Sequence, residues 1–281
     1  MEGFLQFWQN LPGSVDPVLF TLGSFQIRYY SLMYIVGFLC TYILVVYRIR
    51  TEGYEYSTET IQDFFIWAIL GLLLGARLGY VFFYDFGYFL EHPFEIILPF
   101  RRSDDGFIFT GISGLSYHGG ALGVIVAAIV FCRRRKIAIF RFMDLFASVG
   151  ALGYTFGRIG NFINGELYGR ATNVPWGMYF PGDPEGLLRH PSQLYEALFE
   201  GLVLFFILWS LRRRPWPEGT ILGLYVIGYG TARFFLEFFR EPDPHLGFLL
   251  GPFTMGQLLC LAMIAAGTVL MVILRARTSR N

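Results

Sequence analysis

The sequence predicts an all-α, polytopic membrane protein, and three observations predict it. Of its 281 residues, 54% are hydrophobic and 15% charged, with a mean hydropathy of +0.50; soluble domains carry about 25% charged residues. Of the 22 basic residues, Lys136 is the single lysine. Apolar stretches close to the roughly 20 residues that span a bilayer as a helix recur along the chain, without β-barrel alternation. The 31 Phe, 17 Tyr and 33 Gly suit bilayer-facing aromatics and close helix packing. A net charge of +1 argues against nucleic acid as a partner.

Seven stretches qualify as spans: 27–47, 64–84, 118–132, 140–157, 194–211, 219–239 and 254–274. Phe4, Leu5, Phe7 and Trp8 precede the first and suit the membrane interface. Residues 1–25 hold no Lys or Arg, so the basic start of a cleavable signal peptide is missing. The third stretch is short and begins at His118, and the fourth is amphipathic. Ser192 is placed to cap the fifth. No internal repeat is visible. The chain therefore reads as one integral membrane domain, 1–281, with a head segment at 85–117 and a re-entrant, active-site loop at 158–192. Cys40, Cys132 and Cys260 lie far apart in apolar stretches and read as small buried hydrophobes.

Basic residues give the orientation. With the N-terminus outside and the C-terminus in the cytoplasm, inner loops hold 13 of the 22, including Arg48, Arg133–Arg135 and Arg212–Arg214. Outer loops hold five: Arg101, Arg102, Arg170, Arg189 and Arg240. Four remain, Arg28, Arg77, Arg158 and Arg233, inside or at the edges of spans and all in the outer half. An ionised side chain there costs at least ~2.5 kcal/mol unless it meets water or a partner.

Other polar residues gather at the same level. His118 opens the third span; Asn161, Asn164 and Glu166 follow the fourth; His190 precedes the fifth. Gln193, Glu196 and Glu200 share one helical face, as do Tyr229, Arg233, Glu237 and Arg240. Any one of them could be an ion pair joining two helices. The whole set at one depth predicts a polar, cationic cavity opening towards the outer leaflet.

Three motifs sharpen this. Ser116-Tyr117-His118-Gly119-Gly120 sets a histidine beside glycines that admit a close neighbour. Gly157-Arg158-Ile159-Gly160-Asn161-Phe162-Ile163-Asn164-Gly165-Glu166 combines a planar phosphate-binding fork with two amides, and its glycines would allow a tight turn. Arg189-His190-Pro191-Ser192-Gln193-Leu194-Tyr195-Glu196 leads into the fifth span. Asp104-Asp105-Gly106 reads as a surface turn. His92 and His245 do not make a zinc site, and Walker, GxSxG and Rossmann patterns are missing.

The run GRIGNFINGE at 157–166 resembles the signature of the prolipoprotein diacylglyceryl transferases. SYHGG at 116–120, RHPSQLYE at 189–196 and GYGTARFFLEFFREPD at 228–243 match the same family in the same order. RYYSLMY at 28–34, LGARLGYVFFY at 74–84 and MGQLL at 255–259 extend the resemblance from about Asp16 to the seventh span. It implies a bacterial inner-membrane enzyme with its active site towards the outer leaflet. Such an enzyme moves the diacylglyceryl group of phosphatidylglycerol to the lipobox cysteine of a prolipoprotein signal peptide, forms a thioether and releases glycerol-1-phosphate. No cofactor is implied, because phosphatidylglycerol is already an activated donor. The resemblance gives catalytic roles to His118, Arg158, Arg233, Glu237, Tyr30 and Glu166. It gives phosphatidylglycerol binding to Arg158, Asn161, Gly169, Tyr229, Arg233 and His190. Ser31 and Tyr168 stand where the family often has glycine and tryptophan.

On this reading His118 takes the thiol proton, with Tyr30, Glu166 or a water as other possible bases. Arg158 and Arg233 hold the phosphate, Glu237 orients Arg233, and Asn161 donates to the headgroup. The rival readings are a transporter or channel for an anionic solute and a non-catalytic lipid-binding scaffold. Consumption of phosphatidylglycerol in step with acceptor peptide separates the transferase from both.

Overall fold

The computed structural model describes residues 2–23, 25–96, 100–103, 106–109, 114–241, 248–251 and 253–278. Its helices are α1 (Glu2–Gln9), α2 (Leu11–Ser14), α3 (Tyr29–Thr51), α4 (Thr58–Phe83), α5 (Phe86–Glu91), α6 (Tyr117–Arg135), α7 (Ile139–Ile163), α8 (Ser192–Glu196), α9 (Leu204–Leu211), α10 (Thr220–Leu236) and α11 (Met255–Thr278). A π-helical stretch, Ala197–Val203, joins α8 to α9 as one rod. Each of the seven apolar stretches falls on a helix. Among the described residues α3, α4, the Ser192–Leu211 rod and α11 are long and apolar enough to cross a bilayer, and α10 is a shorter apolar helix.

The all-α expectation needs amending for three antiparallel hairpins among the described residues: β1 (Val18–Leu22) with β2 (Phe25–Arg28), β3 (Phe100–Ser103) with β4 (Gly106–Phe109), and β5 (Phe248–Leu250) with β6 (Phe253–Thr254). The first delays α3. Pairing runs to Arg28, which flanks the helix as its N-cap residue, so the helix opens at Tyr29 and not at 27. Asp104, Asp105 and His245 lie outside the described residues.

The chain forms two compact units, residues 55–142 and residues 1–54 with 143–281. In the first, Ser57 caps α4 and Ser116 caps α6, each accepting from a backbone N–H three residues on. Gly71, Gly75 and Gly79 on α4 face Gly119, Gly123 and Ala127 on α6. A Cβ on Gly71 would lie 2.6 Å from the Gly123 carbonyl, and one on Gly79 2.7 Å from Gly119 Cα. The helices therefore pack backbone to backbone, the small-residue contact that bilayer helices use. Arg77, expected to face the cavity, instead donates to the carbonyls of Glu95, Ile96 and Gly114 and lies 4.8 Å from the Phe89 ring centroid. Backbone carbonyls of the head segment satisfy a cation that would otherwise be stranded.

In the second unit, α3 crosses α7 at glycines: Gly37 meets Gly153, and a Cβ on Gly160 would lie 3.1 Å from the Tyr30 ring. Gly157 and Gly160 thus serve helix packing, and the tight turn expected there is displaced. The α7 helix runs on to Ile163 and ends in a Schellman motif, with Gly165 at φ +67°, Gly165 N–H donating to Phe162 O and Glu166 N–H to Asn161 O. Arg158 and Asn161 consequently project from the last two turns of a helix and not from a loop.

The end of this unit where α3 finishes and α10 begins holds a cluster that the sequence reading missed. Arg48, counted as a loop charge, is 1% exposed. It donates to Glu52, to the carbonyls of Asp144 and Leu145, to Ser148 and to Tyr54. Asp144 accepts from the N–H groups of Gly219 and Leu222, at 2.7 Å each. Gly219 has no side chain to cap α10, so a carboxylate from α7 does it.

The loop 164–191 has its own small core of Met178 and Phe180 with Phe162, against which Trp8, Leu11, Tyr168 and Leu194 pack. Arg189 locks it. Its guanidinium grips both oxygens of Asp183, at 2.8 and 2.9 Å, and also reaches Glu185 and Glu241. The fork beside it, with the N–H groups of Glu185 and Leu187, holds the Asp183 carboxyl below the usual carboxylate range. A carboxyl depressed on folding contributes stability that is complete above its unfolded value, about pH 4, and is lost as pH falls through the folded one. Asp183→Asn is therefore expected to lower Tm at pH 7 and to flatten the acid side of the Tm–pH profile. An equal Tm loss at pH 7 and pH 3 would contradict this.

Candidate functional site

The site is built where α7, the Ser192–Leu211 rod, α10 and α11 meet within the second unit. Along the rod, Gln193, Glu196 and Glu200 are all within 1% of full burial, so the face expected from their spacing is an inward one. The π-helical stretch fits closely against α7 at Gly201. A Cβ on Gly201 would overlap Thr155, and the Thr155 hydroxyl donates to the Ala197 carbonyl at 3.2 Å. Wider π-helical winding displaces a backbone group from the ladder, and Thr155 satisfies it.

Ser192, expected as an N-cap, does different work. Pro191 occupies the capping position, and the Ser192 hydroxyl donates to the Leu167 carbonyl at 2.9 Å. Gln193 Nε2 donates to the Glu166 carbonyl at 2.6 Å. Leu167 has φ +59°, a costly value for a side chain branched at Cγ. Two side chains from the rod thus pin the strained turn that carries Glu166.

The arginines are held from both sides. Arg233 Nη1 lies 2.8 Å from Glu196 Oε1, and its Nη2 lies 2.9 Å from Glu237 Oε2. Arg158 Nε lies 2.8 Å from Glu196 Oε2 and donates to the Tyr154 hydroxyl at 2.6 Å. Glu196 therefore sits between the two guanidinium groups, one oxygen to each. Arg240 is 3.8 Å from the same carboxylate. Arg158 Nη1 also reaches Asn161 Oδ1 at 3.3 Å, and Asn161 Nδ2 donates to Glu166 Oε1 at 2.8 Å. Asn161 is a bridge from arginine to acid here, with its amide engaged by Glu166.

Glu237 is seated on the start of α11. Thr254 Oγ1 donates to Glu237 Oε1 at 3.0 Å, while Thr254 and Gln257 exchange the reciprocal bonds of a capping box. A Cβ on Gly256 would lie 2.7 Å from Glu237 Oε1, so the glycine of the 255–259 motif admits the carboxylate. The helix N-terminus adds a favourable field for its charge.

The cationic cavity expected from the sequence is a charge-balanced cluster: Arg158, Arg233 and Arg240 face Glu196, Glu200 and Glu237. Several uncompensated guanidinium groups could not remain together out of water. Tyr229 packs edge-on to Tyr154, with ring centroids 5.6 Å apart. Tyr30 bonds the Tyr34 hydroxyl at 3.0 Å, and the charges of Arg158 and Glu166 act on Tyr34. Tyr30, Arg158, Asn161, Glu166, Tyr229, Arg233 and Glu237 thus gather in one unit.

Gly169 and His190 belong to the same unit and make their contacts outside this network. Gly169 is wedged between backbones; a Cβ there would overlap the Phe239 carbonyl and press on His190. His190 bonds the Tyr195 hydroxyl through Nδ1 at 3.1 Å and packs on Phe239, and burial pushes its imidazole below the usual value, towards the neutral form. Both residues shape the loop by packing. His118 belongs to the other unit, on the first turn of α6, with an exposed imidazole. Glu196 and Glu200 were placed in the cavity's polar set from the sequence but given no role, and Tyr154 was not singled out at all. Tyr154 stands one turn before Arg158, a spacing that could have revealed it.

Apolar helices of membrane-spanning length together with a buried arginine–carboxylate network define an integral membrane protein with a buried ionic site. Residues 17–273 match the family model described as prolipoprotein diacylglyceryl transferase. A protein of Chlorobaculum tepidum named phosphatidylglycerol–prolipoprotein diacylglyceryl transferase is 50% identical over 273 residues, 97% of this chain and 94% of its own. Proteins of the same name from Desulfotalea psychrophila and Bordetella avium are each 45% identical, over 91% and 95% of this chain and 92% and 97% of theirs. The chain belongs to the prolipoprotein diacylglyceryl transferase family.

Proposed function

We propose that this protein transfers the diacylglyceryl group of phosphatidylglycerol to the lipobox cysteine of a prolipoprotein, in a bacterial cytoplasmic membrane. The observation that carries the reading is the pair of guanidinium groups, Arg158 and Arg233, held by one buried carboxylate. Such a pair is preorganised for a phosphate and costs little rearrangement when one arrives. Seven spanning helices, with the N-terminus outside, would set this cluster towards the outer leaflet, where the lipid donor and the emerging cysteine meet.

In the displacement, the cysteine thiolate attacks the glycerol carbon that bears the phosphate. The S–C bond forms, the C–O bond breaks, and its electron pair stays on the phosphate oxygen of the departing glycerol-1-phosphate. Arg158 and Arg233 neutralise that oxygen. Glu237 orients Arg233, and Asn161 spaces Arg158 from Glu166. Tyr30 and Tyr229 line the neighbourhood of the two arginines. His118, with its exposed imidazole, accepts the thiol proton, since only the thiolate is a competent nucleophile.

A mass measurement tests the reading. Purified protein, phosphatidylglycerol and a lipobox peptide are expected to give a diacylglyceryl-sized gain on the peptide, together with free glycerol phosphate. The same peptide with serine in place of cysteine should gain nothing. A cysteine peptide left unmodified while lipid remains bound would refute the transferase.

A further inference from the structure

Glu200 has no part in the reaction as described above, yet it is 0% exposed in the π-helical stretch. Among the described residues its carboxyl oxygens are buried with no cation at salt-bridge contact distance closer than Arg233, and the Tyr154 hydroxyl is the hydrogen-bonding group that acts on it. The charged and titratable groups that face it come from its own rod and three other helices. They are Glu196, then Tyr154 and Arg158 of α7, Arg233 of α10 and Cys260 of α11. Arg233 Nη1 is 3.7 Å from Glu200 Oε1, whereas its short contacts go to Glu196 and Glu237. Glu200 is thus the carboxylate held least firmly in the cluster.

Three arginines and three glutamates balance. A phosphodiester headgroup brings a fourth negative charge to a largely buried cluster, where an unmatched anion is expensive. Expelling a carboxylate would mean breaking the Glu196 or Glu237 contacts that orient the arginines. Protonating Glu200 breaks none of them.

We propose that entry of the phosphatidylglycerol headgroup draws one proton from solvent onto Glu200, which releases Arg233 from it and leaves Glu196 and Glu237 ionised. The proton bonds to a carboxyl oxygen, and no bond of the lipid is made or broken in this step. Glu200 acts through Arg233 as a positioning residue. The neutral carboxyl then faces the phosphate as its charge grows during C–O cleavage. The proposal rests on phosphatidylglycerol being the ligand.

The test is calorimetric. The full chain in detergent is titrated with short-chain phosphatidylglycerol at pH 7 in two buffers of different ionisation enthalpy, so that proton uptake appears as a difference in heat. Wild type is expected to take up about one proton per lipid bound. Glu200→Gln should bind the lipid with no uptake, and Glu200→Asp should retain uptake. Wild-type binding without proton uptake would overturn the proposal and leave the transferase reading intact. Undiminished uptake in Glu200→Gln would assign the proton elsewhere and overturn it as well. A wild-type protein that binds no phosphatidylglycerol would remove the reading beneath it and the proposal together.

Discussion

Arg233→Lys is expected to lower kcat/KM for diacylglyceryl transfer at least ~100-fold, about 2.7 kcal/mol of transition-state stabilisation at 1.36 kcal/mol per decade. The substitution keeps the charge. What it removes is a planar fork whose two ends engage Glu196 and Glu237 at 2.8 and 2.9 Å. A single ammonium group cannot hold both carboxylates and still direct a pair of parallel donors at a phosphate. Releasing Glu196 also disturbs Arg158, because that carboxylate gives its other oxygen to Arg158 Nε at 2.8 Å. Damage from one position therefore spreads to both arginines, and Arg158→Lys with Arg233→Lys should lose much less than the product of the single losses. Glu237→Gln should be milder, since Arg233 keeps Glu196 and the amide oxygen can still accept from Thr254. Initial rates of peptide mass gain, against phosphatidylglycerol concentration and beside a thermal unfolding control, measure all four proteins. Near-wild-type turnover in Arg233→Lys would end the argument from the fork.

Periodicity made the inward face of the rod and the stripe of α10 legible, because both lie within one helix and side-chain spacing alone defines them. Positions of the apolar helices were legible for the same reason. What stayed hidden is what depends on a partner far along the chain. Arg48 read as an ordinary inner-loop charge, and Asp144 drew no reading at all. Each is buried through contacts with residues roughly 75–100 positions away, Leu145 and Ser148 for one and Gly219 and Leu222 for the other. The sign of the site was misjudged similarly. Arginines in a span announce themselves, and Glu237 one turn after Arg233 does too, whereas matching them to Glu196 and Glu200 requires knowing which helices touch. Gly157 and Gly160 show the ambiguity of glycine. The same residue type serves a turn or a close crossing, and here Tyr30 and Tyr34 of α3 decide for the crossing. The Thr254–Gln257 capping box was not read from the sequence, and its purpose is clear with Glu237 resting on it.

Gly123→Ala is expected to abolish accumulation of folded protein, or to lower Tm by more than any other single-methyl change in the chain. The added Cβ would overlap the Gly71 carbonyl and crowd Gly75 Cα, at 2.9 Å. Neither neighbour is a side chain that can rotate away; both are helix backbone. Overpacking of this kind costs ~1–3 kcal/mol where side chains can yield, and more where they cannot. Leu122→Ala is the control, since Leu122 is 60% exposed on the same helix and should change Tm little in detergent. The pair also separates two meanings of the glycines after His118. If they serve chemistry, Gly123→Ala should fold and fail only in turnover. If they serve the α4–α6 contact, folding should fail first, and Gly119→Ala should behave alike because its Cβ would overlap the Gly75 carbonyl. His118 sits one residue before Gly119 on the first turn of α6, so the second outcome would make the placement of the proposed base a consequence of backbone packing.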